Sequence, residues 1–269
     1  MNNNLLYFNE FGGFSEDGKE YIIKTNEKTT PLPWSHVIAN KDFGTILTEN
    51  GGGYIWYKNS QANKITTWSN DPLKDMPSEK LILKTQNREI DILPYKSLEK
   101  FEVIYGFGYA KFIYQDEDIK INTLIYVPIN RSKKVYKVMI ESKEEINGTF
   151  EYLMEPVLGV SREFTKKHIV IEKEEDTVIL KNKYRELYLD DDVLLKFSKS
   201  ISSFCFDDKK VNVNIELKEA YKSEIQIEVQ AENDELQDTE NDMQEIEKFW
   251  NDKMKNVKVY TPVESMNIM

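Results

Sequence analysis

The sequence predicts a mainly β fold: a large antiparallel β-sandwich followed by one C-terminal helix. Two observations support this. Between residues 100 and 230, apolar and polar side chains alternate in nine short runs rich in Ile, Val, Tyr and Phe, as expected for strands with one buried face. From about residue 231 the alternation stops, and apolar residues then recur at helical spacing. Many short alternating runs at close spacing are typical of a sandwich.

The first 95 residues are rich in turns, because glycines stand at positions 12, 13, 18, 44, 51, 52 and 53. Short apolar runs between these glycines predict four strands: Tyr21–Lys24, Gly44–Thr48, Tyr54–Tyr57 and Lys80–Leu83.

The nine alternating runs of the central region predict antiparallel strands whose apolar faces share one core. They are Phe107–Tyr114, Ile119–Tyr126, Val135–Ile140, Thr149–Met154, Ile169–Glu172, Val178–Leu180, Val193–Phe197, Val211–Leu217 and Glu224–Val229.

The C-terminal region predicts a helix near residues 239–255. Residues 231–242 are dominated by acids and amides, and Thr239 followed three residues later by Asp242 resembles a helix cap. Such a helix would carry one apolar stripe, which must bury against the sandwich, a neighbouring copy or a second domain. The stripe consists of Met243, Ile246, Phe249, Trp250 and Met254. We therefore divide the chain into a sandwich domain, 1–230, and a helical linker, 231–269.

Composition limits the kind of partner. The chain has 269 residues, 40% of them hydrophobic, and a net charge of −11, so a packed core is expected and a nucleic-acid or anionic-membrane partner is not. No apolar run approaches the length of a membrane span. The N-terminal MNNNLLYFNE lacks the basic start and apolar stretch of a signal peptide, so the cytoplasm is the expected compartment.

The cysteine and the histidines suggest neither a metal nor a cofactor. Cys205 is the single cysteine and stands between Phe204 and Phe206, so we expect a reduced thiol that packs as a small apolar group. His36 and His168 are far apart in sequence, and no spacing of Cys and His typical of a zinc site occurs. We therefore expect no metal and no cofactor.

The segment from Gly51 to Asp71 has the residue types of a sugar-binding loop. It combines three consecutive glycines with tryptophans, tyrosines and asparagines, and its first acid is its last residue. Aromatic faces stack on the C–H face of a pyranose, while amides and hydroxyls bond the ring hydroxyls. The alternative interpretation is a glycine turn between two ordinary strands, with the tryptophans in the core.

Seven residues are the substrate-binding candidates, with Trp68 in the WSND run foremost. For the tryptophans the alternative is packing, and for the asparagines it is capping of their own turns. The candidates are Trp34, Asn40, Trp56, Asn59, Asn63, Trp68 and Asn70.

Several motifs in order along the chain form one recognisable series. They include NEFGGFSEDGKE at 9–20, TPLPWSHVIAN at 30–40, ENGGGY at 49–54, NSQANKITTWSND at 59–71, GFGY at 106–109 and YVP at 126–128. This series, which covers nearly the whole chain, resembles the N-terminal domain of glycoside hydrolase family 94, formerly glycosyltransferase family 36. That family contains disaccharide and oligosaccharide phosphorylases and cyclic β-1,2-glucan synthases.

The resemblance implies a galactose-mutarotase-like supersandwich and a non-catalytic role. In the family, the general acid and the phosphate site lie in a following (α/α)6 barrel, and VYTPVESMNIM at the end of this chain is similar to the connector that leads to it. We therefore assign no catalytic residue here, and inorganic phosphate would be the co-substrate of the parent enzyme only.

The implied partners are a β-glucan oligosaccharide, the barrel and a second copy in a homodimer. GGF near the start and the run TTWSNDP resemble the cyclic-glucan branch of the family and its β-1,2-oligoglucan phosphorylase relatives, and this resemblance implies a β-1,2-linked glucan. A free-standing carbohydrate-binding, lectin-like module remains the alternative.

Overall fold

The computed structural model describes residues 5–24, 30–95, 100–184, 192–207, 210–236, 238–256 and 259–267. Within these ranges the chain forms twenty strands, two α-helices and a short 3₁₀ turn. Every pairing between the strands is antiparallel, so the mainly β, antiparallel prediction is confirmed.

In chain order the elements are β1 Gly12–Phe14, β2 Glu20–Ile23, β3 Ser35–Ala39, β4 Phe43–Thr48, β5 Gly53–Tyr57, β6 Lys64–Thr66, β7 Glu79–Thr85, β8 Glu89–Asp91, β9 Phe101–Gly106, β10 Tyr109–Gln115, β11 Ile119–Tyr126, β12 Lys133–Ser142, β13 Ile146–Met154, β14 Pro156–Gly159, α1 Arg162–Thr165, β15 Ile169–Glu174, β16 Thr177–Asn182, β17 Val193–Phe197, β18 Ser203–Asp207, β19 Lys210–Glu219, β20 Lys222–Gln230 and α2 Thr239–Met254.

The strands form one large sheet and two smaller ones. The ten-stranded sheet has the order β1-β2-β9-β10-β11-β12-β20-β17-β16-β15. The five-stranded sheets have the orders β18-β19-β13-β7-β8 and β14-β6-β5-β4-β3. One hydrophobic core contains side chains from all three, for example Phe112, Phe150 and Phe43. This shared core makes the sheets a single sandwich.

Thirteen of these strands were predicted, two with the observed bounds, Ile119–Tyr126 and Val193–Phe197. The prediction of one strand over Phe107–Tyr114 is wrong at its start. Tyr109 pairs with Gly106, so Phe107 and Gly108 are the turn of a hairpin, and Gly108 has a φ of +84°. Such a φ suits glycine, and the apolar Phe107 hides this turn in the alternating pattern.

The burial expected for Cys205 is also wrong, because the structure exposes this residue. β18 is the edge strand of its sheet and pairs with β19 alone among the described strands. Four of its five residues are exposed, so two flanking phenylalanines do not indicate a core position at a sheet edge.

Helix α2 confirms the predicted helix near 239–255, but its cap differs. The N-cap is Asp238, whose carboxylate accepts a hydrogen bond from the backbone N–H of Glu240 at 3.0 Å. Thr239 is already helical, and its hydroxyl donates to Gln226 Oε1 at 3.3 Å. Neither described helix is long and apolar enough to cross a bilayer.

The apolar stripe of α2 packs on the sandwich of its own chain. Ile246 is buried against Tyr126 and Val135 of the ten-stranded sheet, and Met243 and Trp250 pack beside them. Phe249, at the edge of the stripe, remains 36% exposed. Asp242 adds a polar anchor, because its buried carboxylate accepts hydrogen bonds from Tyr126 Oη at 2.9 Å and from Arg131.

Trp250→Ala should lower the free energy of unfolding by about 2–4 kcal/mol, below the range for a fully buried tryptophan because this ring is only partly buried. Chemical denaturation followed by circular dichroism measures the loss. Lys248→Ala, at an exposed position of the same helix, is the control and should change little. An unchanged midpoint for Trp250→Ala would mean that α2 contributes nothing to the stability of the sandwich.

Candidate functional site

The loop Gly51–Asp71 begins with a glycine turn that no other residue fits. Gly53 has a φ of +124°, and a Cβ built on it would lie 1.9 Å from the carbonyl oxygen of Ile46. A Cβ on Gly52 would lie 2.1 Å from the Asp75 carboxylate. That carboxylate accepts a hydrogen bond from the Thr48 hydroxyl at 2.6 Å, and Thr48 Oγ1 accepts one from Gly52 N at 2.8 Å. The glycines let these polar groups close the turn.

A buried carboxylate, that of Glu49, links the same turn to the segment before β3. Glu49 is fully buried, and its Oε2 accepts a hydrogen bond from the backbone N–H of Trp34 at 2.6 Å. The Thr30 hydroxyl donates to its other oxygen. Burial raises the pKa of Glu49 above its ordinary value, and the nearby charge of Asp75 acts in the same direction. Glu49 thus connects the segment before β3 to the start of the loop.

The far end of the loop carries an exposed aromatic platform. The Trp68 ring stacks on Tyr54 with centroids 4.8 Å apart and an interplanar angle of 20°. Tyr54 is buried, whereas Trp68 is 41% exposed. Asn70, two residues later, is exposed and has a φ of +47°. The buried tyrosine thus supports an indole at the surface, in a loop that also exposes Asn70.

Trp56 belongs to the same aromatic group. It is half-buried on β5, with its ring centroid 5.4 Å from that of Tyr54. Across the sheet it pairs with Gly44, where a Cβ would lie 2.2 Å from the indole. The absence of a side chain at Gly44 therefore lets the ring lie flat on β4. Tyr54 contacts both tryptophans, and we call Tyr54, Trp56 and Trp68 the aromatic cluster.

Trp34 makes packing contacts with neighbouring aromatic side chains. It is half-buried against the main core, with edge-on contacts to Phe11 at 6.0 Å and to Tyr21 at 5.8 Å. Its carbonyl accepts a hydrogen bond from Tyr105 Oη at 2.9 Å. These contacts run to the ten-stranded sheet or its N-terminal edge and not to the aromatic cluster.

Three of the asparagines use their amides inside the chain. Asn40 bonds the carbonyls of Pro128 and Arg131 through Nδ2, and Oδ1 accepts from the backbone of its own turn. Asn59 Oδ1 likewise accepts two backbone N–H groups of its turn. Asn63 is buried and donates to the carbonyl of Tyr57 at 2.9 Å.

Sequence reasoning missed Tyr54 as a site residue, although a signal was present. Tyr54 and Trp56 are two residues apart on one strand, so they share a face of the sheet. It also missed Leu73 and Met76, which are 87% and 51% exposed just after the loop. Among the residues that the structure describes, no group of three or more His, Cys, Asp or Glu could hold a metal ion.

A family model described as glycosyl hydrolase 94, supersandwich domain, matches residues 19–210. The cyclic beta-(1,2)-glucan synthase NdvB of Rhizobium meliloti strain 1021 is 28% identical over 194 residues, which are 67% of this chain and 7% of the synthase. The N,N'-diacetylchitobiose phosphorylase of Vibrio proteolyticus is 24% identical over 143 residues, 51% of this chain and 18% of that protein.

A solved structure from the human microbiome, assigned as a kojibiose phosphorylase, has a similar fold. It aligns with 96% of this chain and 37% of its own chain, at 12% identity and a TM-score of 0.51. The chain therefore spans well under half the length of each of these relatives.

Proposed function

The chain belongs to the glycosyl hydrolase 94 supersandwich family, and from that membership we propose that it is the non-catalytic β-sandwich domain of a glycoside phosphorylase or glycosyltransferase acting on β-glucans. The family match over residues 19–210 is the observation that carries this proposal. Under this proposal, residues 1–230 are the sandwich and residues 231–269 are the linker toward an (α/α)6 catalytic barrel. The parent enzyme would use inorganic phosphate, or a sugar donor, at a site in that barrel.

We propose a β-1,2-linked glucan as substrate of the parent enzyme, supported by the similarity to the glucan synthase. The sandwich would support the barrel and a homodimer in the cytoplasm. Co-expression of this chain with a barrel domain, followed by size-exclusion chromatography, tests the support role. A stable complex is expected, and persistent separation of the two domains would contradict it.

The aromatic cluster and Asn70 are the proposed sugar contact. Trp68 offers a fixed, exposed face for stacking, and Asn70 offers an amide that can donate to and accept from hydroxyls. Trp56 would extend the apolar surface. Asn40, Asn59, Asn63 and Trp34 would act indirectly, by holding the turns on which this surface rests.

Titration of the chain with β-1,2-gluco-oligosaccharides should shift the NMR signals of Trp68 and Asn70. An open surface leaves most of the ligand in water, so we expect an affinity of about 1 mM or weaker, near −4 kcal/mol. Trp68→Ala should abolish the shifts. Tyr221→Ala is the control, because Tyr221 is a 60% exposed aromatic in another turn. Shifts that leave residues 51–71 unchanged would reject this surface as the sugar contact.

The second candidate function, a free-standing carbohydrate-binding module, is favoured by the exposed Trp68 on its buried Tyr54 support. The same titration separates the two. A module that works alone should bind the oligosaccharide with a Kd of about 1 µM to 100 µM without any barrel.

Neither candidate function gives this chain phosphorolysis of its own. Incubation of the chain with glucobioses and phosphate should therefore release no glucose 1-phosphate.

A further inference from the structure

A second concave site lies between α2 and the ten-stranded sheet. Ile246 of α2 seats on the sheet, and one turn later Trp250 approaches the β9–β10 hairpin turn. A Cβ on Gly108 would lie 2.7 Å from Trp250 Nε1, so glycine permits this approach. Beside the contact remains a groove of about 430 Å³, which we call the α2 groove. Its volume is in the range of small-molecule sites.

One wall of the α2 groove is aromatic. Phe107 from the hairpin turn and Trp250 from the helix have ring centroids 5.8 Å apart and an interplanar angle of 33°. Phe107 is 37% exposed. Tyr109, the first residue of β10, also lines the groove. Flat rings held by a turn and a helix form a rigid stacking surface.

The other groups of the α2 groove are hydrogen-bonding side chains in fixed positions. Glu20 Oε1 accepts from Tyr109 Oη at 2.5 Å and from Lys111 Nζ at 3.0 Å. Both bonds use Oε1, and no hydrogen bond from the described residues reaches Oε2. Gln244 and Asn251, two turns apart on α2, add amides. The groove thus offers an oriented carboxylate acceptor and groups that both donate and accept.

The charges of the α2 groove disfavour anions and purely apolar ligands. Its carboxylates are Asp17, Glu20 and Glu247, and its cations are Lys19 and Lys111. The three carboxylates outnumber the two lysines, and Lys111 is already paired with Glu20, so the groove has no excess of positive charge to bind a phosphate. A lipid chain would strand these polar groups without partners. A neutral ring with one apolar face and a rim of hydroxyls satisfies both walls.

We propose that the α2 groove is a second carbohydrate-binding site, which takes a neutral pyranose by stacking on Phe107 and Trp250 and by hydrogen bonds to Glu20, Gln244 and Asn251. It shares no lining residue with the aromatic cluster. The proposal therefore does not depend on the sugar contact proposed for residues 51–71.

NMR titration of the chain with sophorotriose, a β-1,2-linked glucose trimer, tests the proposal. At about 20 mM sugar we expect shifts of Phe107, Gln244 and the Trp250 indole N–H. Phe107→Ala and Glu20→Gln should each lower the affinity obtained from these shifts about threefold to tenfold. Glu245→Gln, an exposed carboxylate of α2 outside the groove, is the matched control and should bind as wild type.

Sorbitol, which has the hydroxyls but no ring, should leave the groove signals unchanged. Equal shifts with sorbitol, or no groove shifts with sophorotriose, would overturn the proposal. Trp68→Ala should leave the groove shifts intact, and Phe107→Ala should leave those of Trp68 intact. Shifts at residues 51–71 alone would therefore reject this site while retaining the first, and groove shifts alone would do the reverse. If Phe107→Ala disturbs folding, the isosteric Glu20→Gln gives the same decision.

Discussion

Glu79→Ala should lower the free energy of unfolding by about 3–5 kcal/mol, because it leaves a buried ammonium without its partner. Lys134 of β12 and Glu79 of β7 are 1% and 5% exposed, and their Nζ and Oε2 atoms are 2.8 Å apart. Tyr152 Oη donates to the other carboxylate oxygen at 2.6 Å. The pair joins the ten-stranded sheet to a five-stranded one inside the sandwich. Equilibrium denaturation measures the loss.

A double variant separates the free-energy cost of an unpaired buried charge from the net contribution of the ion pair to stability. Lys134→Met combined with Glu79→Leu removes both charges and fills the space with apolar atoms, so most of the stability should return. If Glu79→Ala and the double variant lose equally, the cost would come from packing and from the lost Tyr152 hydrogen bond, and not from an unpaired charge. Intact folding of Glu79→Ala at wild-type stability would contradict the expectation entirely.

The pH dependence of Glu79→Gln gives an independent check. Burial already lowers the pKa of Lys134, and the Glu79 carboxylate opposes that effect. Without the carboxylate the folded-state pKa falls further below the unfolded value of about 10.4. The unfolded state then binds the extra proton between these two values, so the stability of the variant relative to wild type should rise with pH up to about 10. A flat difference would show that Lys134 keeps its charge without help.

This ion pair also shows what the sequence could not predict. The alternation of β12 is readable from Val135 onward because its apolar side chains face the shared core. Lys133 and Lys134 read as polar residues before that strand, yet both are buried. Their carboxylate partners, Glu228 and Glu79, are 95 and 55 residues away in sequence. Local pattern carries no information about such pairings.

Strand length explains only part of what the sequence did not predict. Gly12–Phe14, Lys64–Thr66 and Glu89–Asp91 are three residues long, and so few residues are weak evidence for a period of two. Four longer strands were also missed: Ser35–Ala39, Phe101–Gly106, Pro156–Gly159 and Ser203–Asp207.

At the candidate site, the sequence predicted the residue types but not which side chains are already bonded within the chain. An exposed Trp68 and an internally bonded Asn63 look equally suited to sugar until the turn geometry is known. The aromatic stack of Tyr54 and Trp68 joins residues from a strand and a loop, so only the folded chain reveals it.

Gly53→Ala should be as damaging as loss of the ion pair, at about 3–5 kcal/mol, because backbone strain and a steric clash act together. A φ of +124° is disfavoured for any residue with a Cβ, and the new carbon would meet the Ile46 carbonyl oxygen at 1.9 Å. That oxygen belongs to β4, which pairs with β5 across Leu47 and Gly53, so it cannot move without breaking the sheet.

Gly18→Ala is the matched control, since Gly18 has a φ of +70° in the turn between β1 and β2. Backbone strain alone should lower the free energy of unfolding of Gly18→Ala by about 1–2 kcal/mol. The excess loss in Gly53→Ala then measures the clash with β4, and thermal unfolding of both variants gives that difference. Because β5 carries Tyr54 and Trp56, Gly53→Ala should also weaken the sugar-induced shifts of Trp68, which Gly18→Ala should not. Equal losses in the two variants would mean that β4 and β5 separate easily, and that the glycine turn does not hold the aromatic cluster in place.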